Sequence, residues 1–105
     1  MNGTVDFAAV EWADDGPGIR ARAVQAAGSR WALVEYGSGA QRDEWCTDGH
    51  RGYVLEGEIE YEFDDGTPSL ACTQGQGFLL AAGTGHRGRN PSGSVTRLFL
   101  IDDPI

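Results

Sequence analysis

The residues able to do chemistry gather in two segments of this 105-residue chain. In the run Glu44-Trp45-Cys46-Thr47-Asp48-Gly49-His50, a carboxylate, a thiol and an imidazole stand at 44, 46 and 50, just before the apolar residues 53–55. The second of the two histidines, His86, follows another apolar run, 77–82, and a Gly-Thr-Gly turn. Donors of these types bind a divalent metal when a rigid frame aims them at one point. If the chain approaching Cys46 is extended, alternation places Glu44 and Cys46 on one face and turns Trp45 to the other. Gly49 lets the backbone bend so that His50 returns toward the same centre. Singly, each residue has a plainer reading. A histidine is commonly a surface or hydrogen-bonded group, a cysteine a small core hydrophobe, and Glu44 beside Asp43 a solvated acid.

The elements that must position these groups read as strands. Sixteen glycines and four prolines, spread along the chain, mark many tight turns. Residues 1–12 carry Val5, Phe7, Val10 and Trp12, which fits a short strand or an arm laid on the domain, and 14–18 reads as a turn. Residues 19–27 start with strand alternation but hold alanines that also suit a helix; strand is the reading taken. Residues 30–36 are rich in β-formers. The segment 52–64 alternates Glu58, Glu60 and Glu62 with Ile59, Tyr61 and Phe63, giving one element with a wet face and a buried one. Those glutamates, with Glu56, read as a solvated sheet face rather than catalytic acids, because like charges at that spacing need water. Residues 95–101 are apolar on both faces, as in a strand covered on both sides or an edge between subunits. Roughly eight short strands without a convincing helix predict an all-β sandwich or barrel.

Composition narrows the function. A chain of 105 residues makes one domain. Eight arginines, no lysine and sixteen acids give a net charge of -8, so phosphate backbones are repelled and nucleic acid is not an expected partner. There is no apolar stretch long enough for a membrane helix and no visible secretory leader, so a cytoplasmic location is expected. Cys46 and Cys72 are expected to stay thiols in that compartment, although a disulfide between them stays open.

The two segments resemble the two motifs of the cupin family. The first, Gly-x5-His-x-His-x3–4-Glu-x6-Gly, anchored on Gly57, puts His50 at the Glu position, Cys46 at the second His and Glu44 at the first; Gly39 sits one residue too close to fill the leading Gly. The second, Gly-x5-Pro-x-Gly-x2-His-x3-Asn, is met by Gly75, Ala81 in place of proline, Gly83, His86 and Asn90. The run Trp-Cys-x-x-Gly-His-x-Gly-Tyr-Val-Leu-Glu-Gly is similar to a subgroup of small single-domain cupins. This resemblance implies an all-β double-stranded β-helix, or jelly-roll barrel, over residues 17–105, with 1–16 as an N-terminal arm or edge strand. It also implies a metal held by Glu44, Cys46, His50 and His86, of which only His86 is the usual type. Thiolate with imidazole favours zinc, with iron(II), nickel or copper behind it. Three protein ligands would leave an open place for Lewis-acid chemistry, and four would close the site; Cys46 can also stand behind the metal. Glu44 and His50 are the expected proton carriers, and Trp45, Arg51, Tyr53 and Arg87 the expected pocket residues. Arg51 and Arg87 either clamp a carboxylate or pair with surface acids. The expected function is a lyase, isomerase or cyclase acting on an organic acid, sugar or polyketide-like molecule. The alternative is a non-catalytic binding or structural cupin. A homodimer is expected from the two-faced strand 95–101 and the apolar arm.

Overall fold

The structure, a computed structural model, describes residues 2–102. Among these residues there are nine strands and a single 3-10 turn, Phe7–Ala9. The strands are β1 (Ala13–Gly16), β2 (Ile19–Ala26), β3 (Ser29–Tyr36), β4 (His50–Glu56), β5 (Glu58–Phe63), β6 (Leu70–Thr73), β7 (Gly77–Leu80), β8 (His86–Arg89) and β9 (Thr96–Asp102). They form two antiparallel sheets, ordered β1-β2-β3-β9-β4-β7 and β6-β5-β8. Every second residue of β3, β9 and β5 points between the sheets, so Ala32, Val34, Leu98, Leu100, Ile59 and Tyr61 form one core with Val54, Phe78 and Leu80. The architecture is a single-domain jelly roll. No helix among the described residues is long and apolar enough to cross a membrane.

Gly57 is where the chain leaves one sheet for the other. Its φ is +83°, and a Cβ there would lie 2.6 Å from the Thr96 hydroxyl and 3.0 Å from the Val95 carbonyl oxygen. The Thr96 hydroxyl donates to the Glu58 carbonyl at 2.6 Å and accepts from the Glu58 N–H at 3.1 Å. The segment 52–64, expected as one element, is therefore two strands that share no sheet. Other expectations change for similar local reasons. The expected turn 14–18 shrinks to Pro17-Gly18, because Ala13–Gly16 pairs with β2 as an edge strand. β8 has no counterpart in the sequence reading: three of its four residues are His, Arg and Arg, and its glycine, Gly88, is required by space. A Cβ at Gly88 would lie 2.8 Å from the Tyr36 hydroxyl and 2.9 Å from Tyr61.

β9 is central rather than an edge, lying between β3 and β4. Its outward ring, Phe99, meets Phe7 at 6.2 Å and Trp31 at 6.1 Å, both edge-on. Trp12 lies under the guanidinium groups of Arg20 and Arg22. The arm and the outer face of β9 thus have partners within one chain. The glutamates 56, 60 and 62 also find arginines: Arg97, Arg89 and Arg87 respectively.

A row of alternating charge, Arg20-Glu35-Arg97-Glu56, crosses β2, β3, β9 and β4 at matched register. Glu35 accepts from Arg20 at 2.7 Å and from Arg97 at 2.6 Å. Burial alone would raise the Glu35 carboxyl, but the two guanidinium groups outweigh it and hold the group below its usual range. A depressed carboxylate stabilises the fold above its unfolded pKa, about 4.3, and that stabilisation is lost as pH falls through the lower folded value. Glu35→Gln should therefore cost roughly 1 kcal/mol at neutral pH, a figure kept small by solvent screening. The gap between variant and wild type, measured by urea unfolding, should narrow as pH drops below about 4.

Candidate metal centre

Reciprocal backbone bonds bring the two segments together. The Cys46 N–H donates to the His86 carbonyl at 2.8 Å, and the His86 N–H donates to the Cys46 carbonyl at 2.9 Å. His86 is held at the head of β8 by the turn before it. The Gly85 N–H donates to the Asp64 carboxylate at 3.0 Å, and a Cβ on Gly85 would lie 2.2 Å from that carboxylate. His50 opens β4, whose pleat turns His50, Gly52 and Val54 inward. Gly52 is packed so closely that a Cβ would meet Phe78 at 2.2 Å and Leu100 at 2.7 Å.

The donor atoms of Cys46, His50 and His86 all lie within 4.8 Å of one another. Cys46 Sγ is 3.7 Å from His50 Nε2, and the two imidazole rings sit edge to face with centroids 4.8 Å apart. Zinc–sulfur and zinc–nitrogen bond lengths put tetrahedral donors roughly 3.3–3.8 Å apart. The cluster therefore needs at most about 1.5 Å of closure to hold an ion. Both nitrogens of His86 are buried and neither makes a well-aligned hydrogen bond among the described residues, although the Thr84 backbone lies near enough to offset part of the effect of burial. A buried imidazole left so is costly unless something else takes its lone pair. Burial, and then the neighbouring His50, lower the His86 pKa below its ordinary value, which keeps the ring neutral and able to ligate. Burial raises the Cys46 thiol, with the Asp48 and Asp102 charges adding to it, so a metal must displace its proton. Cys46, His50 and His86 are thus a group that could hold a metal ion.

Glu44 stands outside this group. It lines the same cavity, but bends at Asp43 and Glu44 break the extended backbone on which alternation with Cys46 depended. Asp102, absent from the sequence reading, lies beside His50 instead. The two are paired in register across β4 and β9, and His50 Nδ1 is 2.7 Å from Asp102 Oδ1. The contact is close without the alignment of a good hydrogen bond, and neither atom has another partner among the described residues. Asp102 could have been found by continuing the inward alternation of Leu98 and Leu100 by one more step.

The cluster opens on a cavity of about 760 Å³, a size that admits a small molecule. Trp45 and Arg87 line it, with the Arg87 guanidinium 4.1 Å from the Trp45 ring centroid. Arg51 and Tyr53 do not line it. They alternate with His50 and Gly52 along β4 and face outward, where Tyr53 is exposed. Each of the three cavity arginines already faces an acid: Arg30 meets Asp15 and Asp102, Arg42 meets Asp15, and Arg87 meets Glu62. Arg42 and Tyr36 are also in the cavity wall; Tyr36 was one of the bulky residues available to line a barrel, and Arg42 carried no signal in the sequence.

A two-sheet jelly roll that carries its inward donors on β4, on β8 and on the loop before β4 is the cupin fold, and this chain has it. No protein-family model and no curated protein matches the chain, so the likeness is carried by solved structures. An RmlC-like cupin from Shewanella frigidimarina aligns over 100% of this chain and 93% of its own, with TM-score 0.78 and 18% identity. KdgF from a Halomonas species aligns over 97% and 94%, with TM-score 0.74 and 19% identity. The polyketide cyclase RemF from Streptomyces resistomycificus aligns over 97% and 79%, with TM-score 0.77 and 18% identity. At these identities the shared property is the fold.

Proposed function

We propose that this protein is a zinc-binding cupin whose cavity takes a small molecule and carries out a lyase, isomerase or cyclase reaction. The observation that supports it most is the buried His86, with no well-aligned hydrogen bond at either ring nitrogen, beside Cys46 and His50. Thiolate with two imidazoles suits zinc among the common divalent ions. Bound there, zinc would supply Lewis acidity toward a carbonyl or similar oxygen. The chain does the rest. Asp102 orients His50 and fixes which nitrogen faces the cluster. Trp45 offers an aromatic wall, and Glu44, in the cavity but outside the cluster, would move a proton. The likeness to a polyketide cyclase is a further support at the level of fold.

Elemental analysis of the purified protein tests the reading. Stoichiometric zinc that a chelator strips without unfolding the barrel supports it. If no metal binds, and His50→Ala and His86→Ala change only stability, the protein is a binding or structural cupin. Asp102→Asn should leave the fold intact and weaken zinc binding by roughly 10- to 100-fold, the usual effect of losing a group that orients a ligand. A chelator-dye competition titration measures that change.

One observation favours a second reading. Cys46 Sγ, His50 Nε2, His50 Nδ1 and Asp102 Oδ1 lie in a row, at 3.7 Å and 2.7 Å, in the order nucleophile, base, orienting acid. Against it stand the raised thiol and the acids around Cys46. Burst-phase acylation of Cys46 by an activated ester in metal-free protein would support this second reading.

A further inference from the structure

Tyr36 has a hydroxyl hydrogen with no acceptor among the described residues. The Arg42 Nε–H donates to the Tyr36 oxygen at 3.0 Å. A guanidinium offers no lone pair in return, so the phenol is the acceptor in that bond and its own O–H must be spent elsewhere. Tyr36 is 2% exposed, yet its side chain lines the cavity that also holds Cys46, His50 and His86. The hydroxyl is fixed in place. Arg42 donates to both the carbonyl oxygen and the carboxylate of Asp15. The backbone at Gly88, which lines the same cavity, comes so near that a Cβ there would be 2.8 Å from the hydroxyl oxygen. Burial raises the Tyr36 pKa by more than Arg42 lowers it, so the donor keeps its proton at neutral pH.

We propose that Tyr36, anchored by Arg42 and Asp15, donates a hydrogen bond to an uncharged carbonyl oxygen of the molecule that the cavity takes. A carbonyl fits better than a carboxylate. Each cavity arginine is already faced by an acid, and Asp15, Asp48 and Asp102 line the same space. Of the organic acid, sugar or polyketide-like molecule expected from the sequence, this disfavours the organic acid. The inference rests on the reading that the cavity takes a small molecule, and it does not need the metal.

Acetophenone labelled at its carbonyl carbon is a suitable probe: neutral, with one acceptor oxygen and a ring to lie against Trp45. Isotope-edited infrared spectroscopy reads the carbonyl stretch of the bound probe, and tryptophan fluorescence reads its affinity. Bound to wild type, the stretch should fall below its value in an apolar solvent. In Tyr36→Phe it should return toward that value, and the affinity should fall about tenfold. A change in packing alone would not move the stretch in this way. If wild type does not bind the probe, or binds it with the apolar-solvent stretch, the proposal is overturned before any variant is made. An unchanged stretch in a folded Tyr36→Phe also overturns it. Zinc content is measured on the same samples, with and without chelator. Absence of zinc with the shift intact defeats only the metal reading, and zinc without the shift defeats only this one.

Discussion

Replacing His86 with alanine should lower zinc affinity by more than about 100-fold, beyond the range for losing a group that only orients a ligand. It should do so without unfolding the barrel. The bonds that tie Cys46 to His86 are made by main-chain atoms, at 2.8 and 2.9 Å, and survive the substitution. The side chain makes no well-aligned hydrogen bond among the described residues, so alanine would forfeit at most a weak contact with the Thr84 backbone. What is lost in the metal-free protein is packing against His50 and Tyr61, the latter with its ring centroid 6.0 Å away. Metal-free wild type and His86→Ala should therefore melt at similar temperatures, and only the wild type should gain stability when zinc is added. Thermal melts with and without zinc, with a chelator-dye titration, measure both effects. Equal zinc affinity in the two proteins would remove His86 from the site.

The largest effect on stability is expected at Gly57. Gly57→Ala forces a side chain into the left-handed region at φ +83° and drives a Cβ to 2.6 Å from Thr96 Oγ1 and 3.0 Å from the Val95 carbonyl oxygen. The second contact is with backbone and has no rotamer to relax. Strain of about 1–3 kcal/mol from the conformation adds to overpacking of similar size. Displacing Thr96 would also break its bonds to Glu58 at the crossing between sheets. A loss of about 3 kcal/mol or more is expected, or more than about 10 °C in melting temperature. Gly66→Ala is the control. Its φ is +82°, but a Cβ there meets nothing within 4 Å, so only the conformational part should appear. Equal losses at the two sites would show that crowding at the sheet crossing contributes nothing.

The residues that the sequence could place are those governed by strict local rules. Cys46, His50 and His86 stood at motif spacing, and the structure brings their donor atoms within 4.8 Å. Gly57 was visible as a motif residue, but its left-handed φ, which splits one apparent strand into two, was not. The parity of β4 was legible in principle: Arg51 and Tyr53 alternate with His50 and so face away from it. Glu44 was lost for the opposite reason. Period-two counting holds only while the backbone is extended, and the bends at Asp43 and Glu44 end it. Asp102 and the Tyr36-Arg42-Asp15 chain depend on which strands become neighbours. β9 meeting both β3 and β4, and Arg42 reaching across to Asp15, are long-range pairings that no local pattern specifies.

Cobalt(II) titrated into the metal-free protein tests most directly whether Cys46, His50 and His86 hold an ion together. Saturation at a single equivalent is expected. It should bring the intense visible absorption of a four-coordinate site and a thiolate-to-cobalt charge-transfer band in the near ultraviolet that disappears in Cys46→Ser. A protein that leaves cobalt(II) with the pale spectrum of its aqueous ion would contradict the metal centre outright.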